Sequence, residues 1–132
     1  MTNANSDDGL RVRREVLGDD HVERAAASTT AFSAPFQDFV NHSAWGSVWS
    51  RDGLDRRTRS CVTLALLAAL HCESEIPMHV RGALRNGVSP TEIAEVLLHT
   101  AVYAGVPAAN AAFTIAQQTL AEEGVEDATP PG

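Results

Sequence analysis

Glu75 and His79 stand four residues apart in a stretch of nearly uninterrupted apolar helix, with Arg56, Arg57 and Arg59 upstream. At that spacing a carboxylate and an imidazole share one helix face. The carboxylate favours the protonated imidazole and sets a proton donor or acceptor near neutral pH. The competing reading is an ordinary helix-surface pair. If Asp55 caps the next helix, the arginines fall in its first turns, where the helix dipole already favours anions. Cations there cost a few tenths of a kcal/mol, roughly, unless an anion offsets them. Such a cluster suits a substrate carboxylate; the alternative is pairing with Asp52, Asp55 or acids of another subunit.

A third set is aromatic. The chain has two tryptophans, one tyrosine and four phenylalanines. Trp45 and Trp49, four apart, and Tyr103 are candidates for a pocket wall, although such residues more often serve as core. The five histidines show neither HExxH nor paired metal spacing, so no metal is expected. Cys61 and Cys72 form neither CxxC nor a zinc pattern.

These residues need elements to hold them, and the chain reads as helical almost throughout. Its 132 residues suit one domain, and 44% hydrophobic with 20% charged residues is ordinary for a soluble protein. A net charge of −7 argues against nucleic acid and anionic membrane surfaces as partners. With no leader-like segment and no apolar run near ~20 residues, a reducing cytoplasm is the expected location.

Residues 1–9 and 124–132 read as mobile polar tails around a domain at 10–123. Asp8 is expected to cap a first helix closed at Gly18, and residues 20–28 to form another short turn of helix. Phe36, Phe39, Val40 and Ala44 recur at helical spacing until Gly46 breaks the run. From Cys61 to Leu70 the next helix is apolar except for Thr63. That predicts an interior helix, or one also covered by a partner subunit. Pro77 fixes the start of the following helix near Ser74, and Asn86-Gly87 its end. Ser89-Pro90-Thr91-Glu92 is a capping box, and Pro107 opens a last helix ending near Gly124. The expectation is a single all-α domain.

The runs FQDFVNHSAWGSVWSRDGLDRRTRSCVTLALLAALH and EIPMHVRGALRNGVSPTEIAEVLLHTAVYAGVPAANAAF, with LRVRREVLGDDHVERA before them, closely resemble the carboxymuconolactone decarboxylase family. The resemblance spans roughly residues 10 to 121. It implies an AhpD-like helical bundle assembled as a homo-oligomer, a trimer or hexamer. It also implies cofactor-free conversion of gamma-carboxymuconolactone, a lactone dicarboxylate, to beta-ketoadipate enol-lactone and CO₂ in protocatechuate breakdown. His79 matches the histidine of the superfamily's HxxxA segment, here His79 to Ala83. Cys72 and Glu75 lie where the peroxidase branch has its two redox cysteines, and one cysteine cannot run a dithiol cycle. On this reading His79 and Glu75 are catalytic, while Arg56, Arg59, Trp45, Trp49 and Tyr103 bind substrate. The alternatives are an AhpD-like thiol peroxidase or disulfide reductase, and a related helical protein with another substrate.

Overall fold

The computed structural model describes residues 4–125, with side chains from Ser6 onward. Every regular element among them is helical, as expected. In order these are α1 (Ala4–Leu17), α2 (Asp19–Ser28), α3 (Ala34–Val40), a π-helical segment (Asn41–Trp49), α4 (Arg56–Ala69), a 3₁₀ turn (Glu73–Glu75), α5 (Ile76–Arg85), α6 (Pro90–Ala104) and α7 (Val106–Glu122). The chain divides into two compact units, Met1–Arg56 and Arg57–Gly132. Most of the expected C-terminal tail lies outside the described residues.

In the first unit, α1 starts at Ala4 rather than at an Asp8 cap, so the expected N-terminal tail is already helical there. Asp7 in the first turn complements the helix dipole. Gly18, with φ of 90°, closes the helix at the expected place. Gly9 lies inside α1, where glycine costs about 1 kcal/mol relative to alanine. Its role is close approach. A Cβ there would overlap the carbonyl oxygen of Asn41 and come within 2.8 Å of the Gly46 amide nitrogen. α1 packs principally on the π-helical segment.

Gly46 does not break the helix. The chain passes from α3 into the π-helical segment and continues to Trp49, with the Ser50 amide donating five residues back to the Trp45 carbonyl at 3.1 Å. Gly46 is buried at the contact with Gly9, so it serves packing rather than termination. Phe36 and Phe39, which recur at helical spacing, are exposed. The buried positions of this region are Trp45, Gly46 and Trp49.

The second unit follows its sequence signals closely. α5 starts at Ile76, two residues later than expected, because Glu73–Glu75 close a tighter 3₁₀ turn first; Pro77 sits in the first α-helical turn, where its missing N–H costs nothing. Gly87, with φ of 88°, ends that helix, and the Val88 amide donates to the Ala83 carbonyl at 2.9 Å. Ser89 and Glu92 form the capping box, each side chain accepting from the other's backbone N–H. Gly105 and Gly124 separate and close the last two helices, again with positive φ. The core gathers Leu64 and Ala68 of α4, Ile76, Val80 and Ala83 of α5, Ile93 and Leu97 of α6, and Ala112, Ala116 and Leu120 of α7. Each fully buried leucine or isoleucine contributes about 2 kcal/mol.

Of the two expectations for α4, an interior helix of the single chain is the one that fails. Ser60, Leu64 and Ala68 form its buried stripe, while Val62, Leu66 and Leu70 are 47%, 53% and 69% exposed. The helix is thus half covered within this chain, despite having no polar face between Cys61 and Leu70 other than Thr63.

Candidate functional site

The first unit supplies an aromatic pair and one arginine. Trp45 and Trp49 stack with ring centroids 5.0 Å apart and planes inclined by 30°. They are 4% and 9% exposed, so this pair is buried aromatic surface. The wider turn of the π-helical segment carries both indoles, four residues apart, on one face. Arg56 is committed to an acid: its guanidinium meets Glu15 at 2.7 Å, and Arg11 meets the same carboxylate at 3.0 Å. The hydrogen bond from Arg56, with a second from Arg11, holds the Glu15 carboxyl below the ordinary carboxylate range. Both groups remain well exposed, so this pair is worth less than about 1 kcal/mol.

The second unit supplies the other charged groups. Arg57 pairs with Glu92, whose other oxygen accepts from the Ser89 amide in the capping box. A residue that starts α6 therefore also anchors the start of α4. Arg56 and Arg57 thus reach Glu15 and Glu92, both distant in sequence. Arg59 is half-buried with its Nε enclosed by protein, one residue before buried Ser60. Ser60 accepts a 2.9 Å hydrogen bond from the Asn86 side chain, which ties α4 to the end of α5.

His79 lies in α5, half-buried with its Nδ1 enclosed. Ile76, Val80 and Ala83 around it on the helix are fully buried, so the imidazole sits at the core's margin. Glu75 directly precedes α5 and is exposed. Tyr103 is 80% exposed on α6, its ring 5.0 Å from that of His99. Cys61 and Cys72 are both free thiols, and His71 just before Cys72 adopts a left-handed φ of 57°.

A cavity of about 380 Å³ opens between α6 and α7, lined by Ile93, Leu97, Phe113, Leu120 and Val125 among others. Among the described residues its polar lining comes from Thr91 and Gln117, without a charged group to hold a carboxylate, and none of the candidate residues lines it. Among the described residues no cluster of histidine, cysteine and acidic side chains has the arrangement of a metal site, and no helix is long and apolar enough to cross a membrane.

Comparison with known proteins adds the following. The model of the carboxymuconolactone decarboxylase family matches residues 34–118. A 4-carboxymuconolactone decarboxylase of Acinetobacter baylyi is 48% identical over 117 residues, covering 89% of this chain and 87% of that protein. The nitrosuccinic acid decarboxylase of Metarhizium robertsii is 44% identical over 114 residues, covering 86% of this chain and 80% of that protein. The family match starts in α3 and so takes in both tryptophans, all three arginines, Glu75, His79 and Tyr103.

Proposed function

Because the chain belongs to the carboxymuconolactone decarboxylase family, we propose that it is a carboxy-lyase that converts gamma-carboxymuconolactone to beta-ketoadipate enol-lactone and CO₂ without a cofactor. The observation that carries this reading is the 48% identity to a 4-carboxymuconolactone decarboxylase across 89% of the chain. Chemistry makes the cofactor dispensable. Breaking the carbon–carboxylate bond leaves its electron pair conjugated through the ring double bond into the lactone carbonyl. The substrate is its own electron sink, and the product needs only a proton on the carbon alpha to that carbonyl.

The protein then has three tasks: to hold two carboxylates, to stabilise the developing oxyanion, and to deliver a proton. Arg59, with its guanidinium partly withdrawn from solvent, is the candidate for a bidentate carboxylate contact. Arg56 is assigned a secondary role, since Glu15 already engages it. His79 at the core's margin delivers the proton, and Glu75 at the start of α5 adds negative charge that favours its protonated form. A donor aimed at the oxyanion is worth about 3 kcal/mol. The buried Trp45–Trp49 pair supplies apolar surface where a leaving carboxylate loses hydration and neutral CO₂ is favoured. Tyr103, highly exposed in the single chain, contributes once a second copy covers its surroundings.

That coverage is part of the proposal. Val62 and Leu66 on α4, with Leu70 just beyond its end, are exposed apolar side chains that a homo-oligomer would bury. A trimer or hexamer in the cytoplasm is the assembly we assign.

The 44% identity to a nitrosuccinic acid decarboxylase favours a second reading, in which the substrate is another dicarboxylate. A nitro group beside the leaving carboxylate accepts the electron pair as the lactone does, so the same arginines, apolar seat and proton donor serve. Purified protein offered gamma-carboxymuconolactone, nitrosuccinate and a peroxide in parallel separates the readings. Fastest loss of the lactone, read by its ultraviolet absorbance, supports the first. Preference for nitrosuccinate supports the second. Peroxide consumption alone overturns both in favour of thiol chemistry.

A further inference from the structure

Arg13 belongs to no candidate set, yet its guanidinium bridges two side chains of the first unit. One nitrogen of that guanidinium, Nη1, donates to the side-chain oxygen of Gln37 at 3.0 Å and to that of Asn41 at 3.1 Å. Gln37 is in the last turns of α3, and Asn41 is the first residue of the π-helical segment. The two acceptors thus straddle the point where the chain changes from α- to π-helical turns. All three side chains are half-buried, which makes these charge-assisted bonds stronger than their surface equivalents.

The spacing continues beyond the clasp. Gln37, Asn41, Trp45 and Trp49 recur every four residues and line one face of the continuous helix formed by α3 and the π-helical segment. Arg13 grips the first two; the stacked indoles occupy the last two. Gly9, one turn earlier on α1, meets the Asn41 carbonyl and the Gly46 amide so closely that only glycine fits. α1 therefore touches the π-helical segment through a backbone contact and an arginine clasp, both centred on Asn41. π-helical turns are rare and frequently occur at functional sites, where surrounding structure maintains an uncommon backbone.

We propose that Arg13 is a positioning residue: by clasping Gln37 and Asn41 it fixes where the helix changes register, and so sets the stacked geometry of Trp45 and Trp49. Its consequence for catalysis rests on the reading of the tryptophans as the apolar wall of the substrate site. Arg13 itself touches no reacting atom in this scheme.

Trp45 and Trp49 are the two tryptophans of the chain, so near-ultraviolet circular dichroism of the indole bands reports on their stack directly. Arg13→Met and Asn41→Ala, with far-ultraviolet helicity retained, are expected to lose most of that signal and to raise KM for the lactone severalfold with a smaller change in kcat. Asn41→Asp keeps an acceptor for the guanidinium and is expected to retain the signal. If Arg13→Met does not fold, Asn41→Ala and Asn41→Asp decide by themselves. An unchanged indole signal in Asn41→Ala, or its loss in Asn41→Asp as well, overturns the clasp. A lost signal with unchanged KM upholds the clasp and overturns instead the assignment of the tryptophans to the substrate site.

Discussion

The two units of this chain are held by different means. In the second, regular helices begin and end at residues made for that purpose, and apolar side chains meet in one core: Ser89 and Glu92 start α6, Gly87 and Gly105 stop helices, and Leu64, Ile76 and Leu97 fill the middle. In the first, a π-helical segment with little local reason to exist is kept in place by a glycine contact and a guanidinium. Local sequence chemistry specifies one unit; tertiary contact specifies the other. The proton donor is assigned to the first kind of scaffold and the tryptophan wall to the second.

Substitutions sharpen this contrast. Gly9→Ala adds a single methyl group against backbone that cannot swing away, and is expected to destabilise by about 3 kcal/mol or more. Urea unfolding checks it, and tolerance within about 0.5 kcal/mol would remove the close contact from the account. Leu64→Ala deletes a side chain that is 1% exposed and is expected to cost about 2–5 kcal/mol by ordinary cavity formation. One added methyl in the first unit should thus rival the loss of most of a leucine in the second. Ser89→Ala removes the N-cap acceptor of α6 and is expected to cost about 1 kcal/mol, measured the same way.

The smallest effect belongs to the exposed Arg56–Glu15 pair. Its sign is set by the lowered pKa of Glu15: the stabilisation is complete above the carboxyl's unfolded pKa and is lost as pH falls through the lower folded value. Glu15→Gln should therefore cost less than about 1 kcal/mol at neutral pH and nothing once the Glu15 carboxyl would be protonated in both the folded and the unfolded chain. A thermal melt series from neutral to acid pH tests it. A deficit that persists at the acid end would mean that Glu15 acts through packing.

The same contrast explains what could be read from the sequence. Prolines 77, 90 and 107, the capping box and the glycines at 87, 105 and 124 speak through local backbone chemistry, so α5 to α7 were legible almost to their ends. The π-helical segment was not, because Gly46 looks like a break until Gly9 is placed against it. Phe36 and Phe39 followed a helical period without turning inward. Spacing put Glu75 and His79 on one helix face; Glu75 is exposed ahead of α5 while His79 is half-buried within it. The partners of Arg56 and Arg57 were not foreseen, since Glu15 and Glu92 come from distant helices and leave no local signature. The four-residue spacing of Trp45 and Trp49 was read from the chain; its extension to Gln37 and Asn41 emerged only with α1 beside it.

The account stands most directly on His79 as the proton donor of a reaction that needs no cofactor. The deciding measurement is kcat and KM of His79→Ala on gamma-carboxymuconolactone, beside chelator-treated wild-type protein, with both preparations shown to be folded. The account predicts full turnover by the chelated wild type, and a fall in kcat on the order of a hundredfold in the variant with little change in KM. A His79→Ala enzyme with near-wild-type kcat would contradict it and leave the imidazole a structural group at the margin of the core.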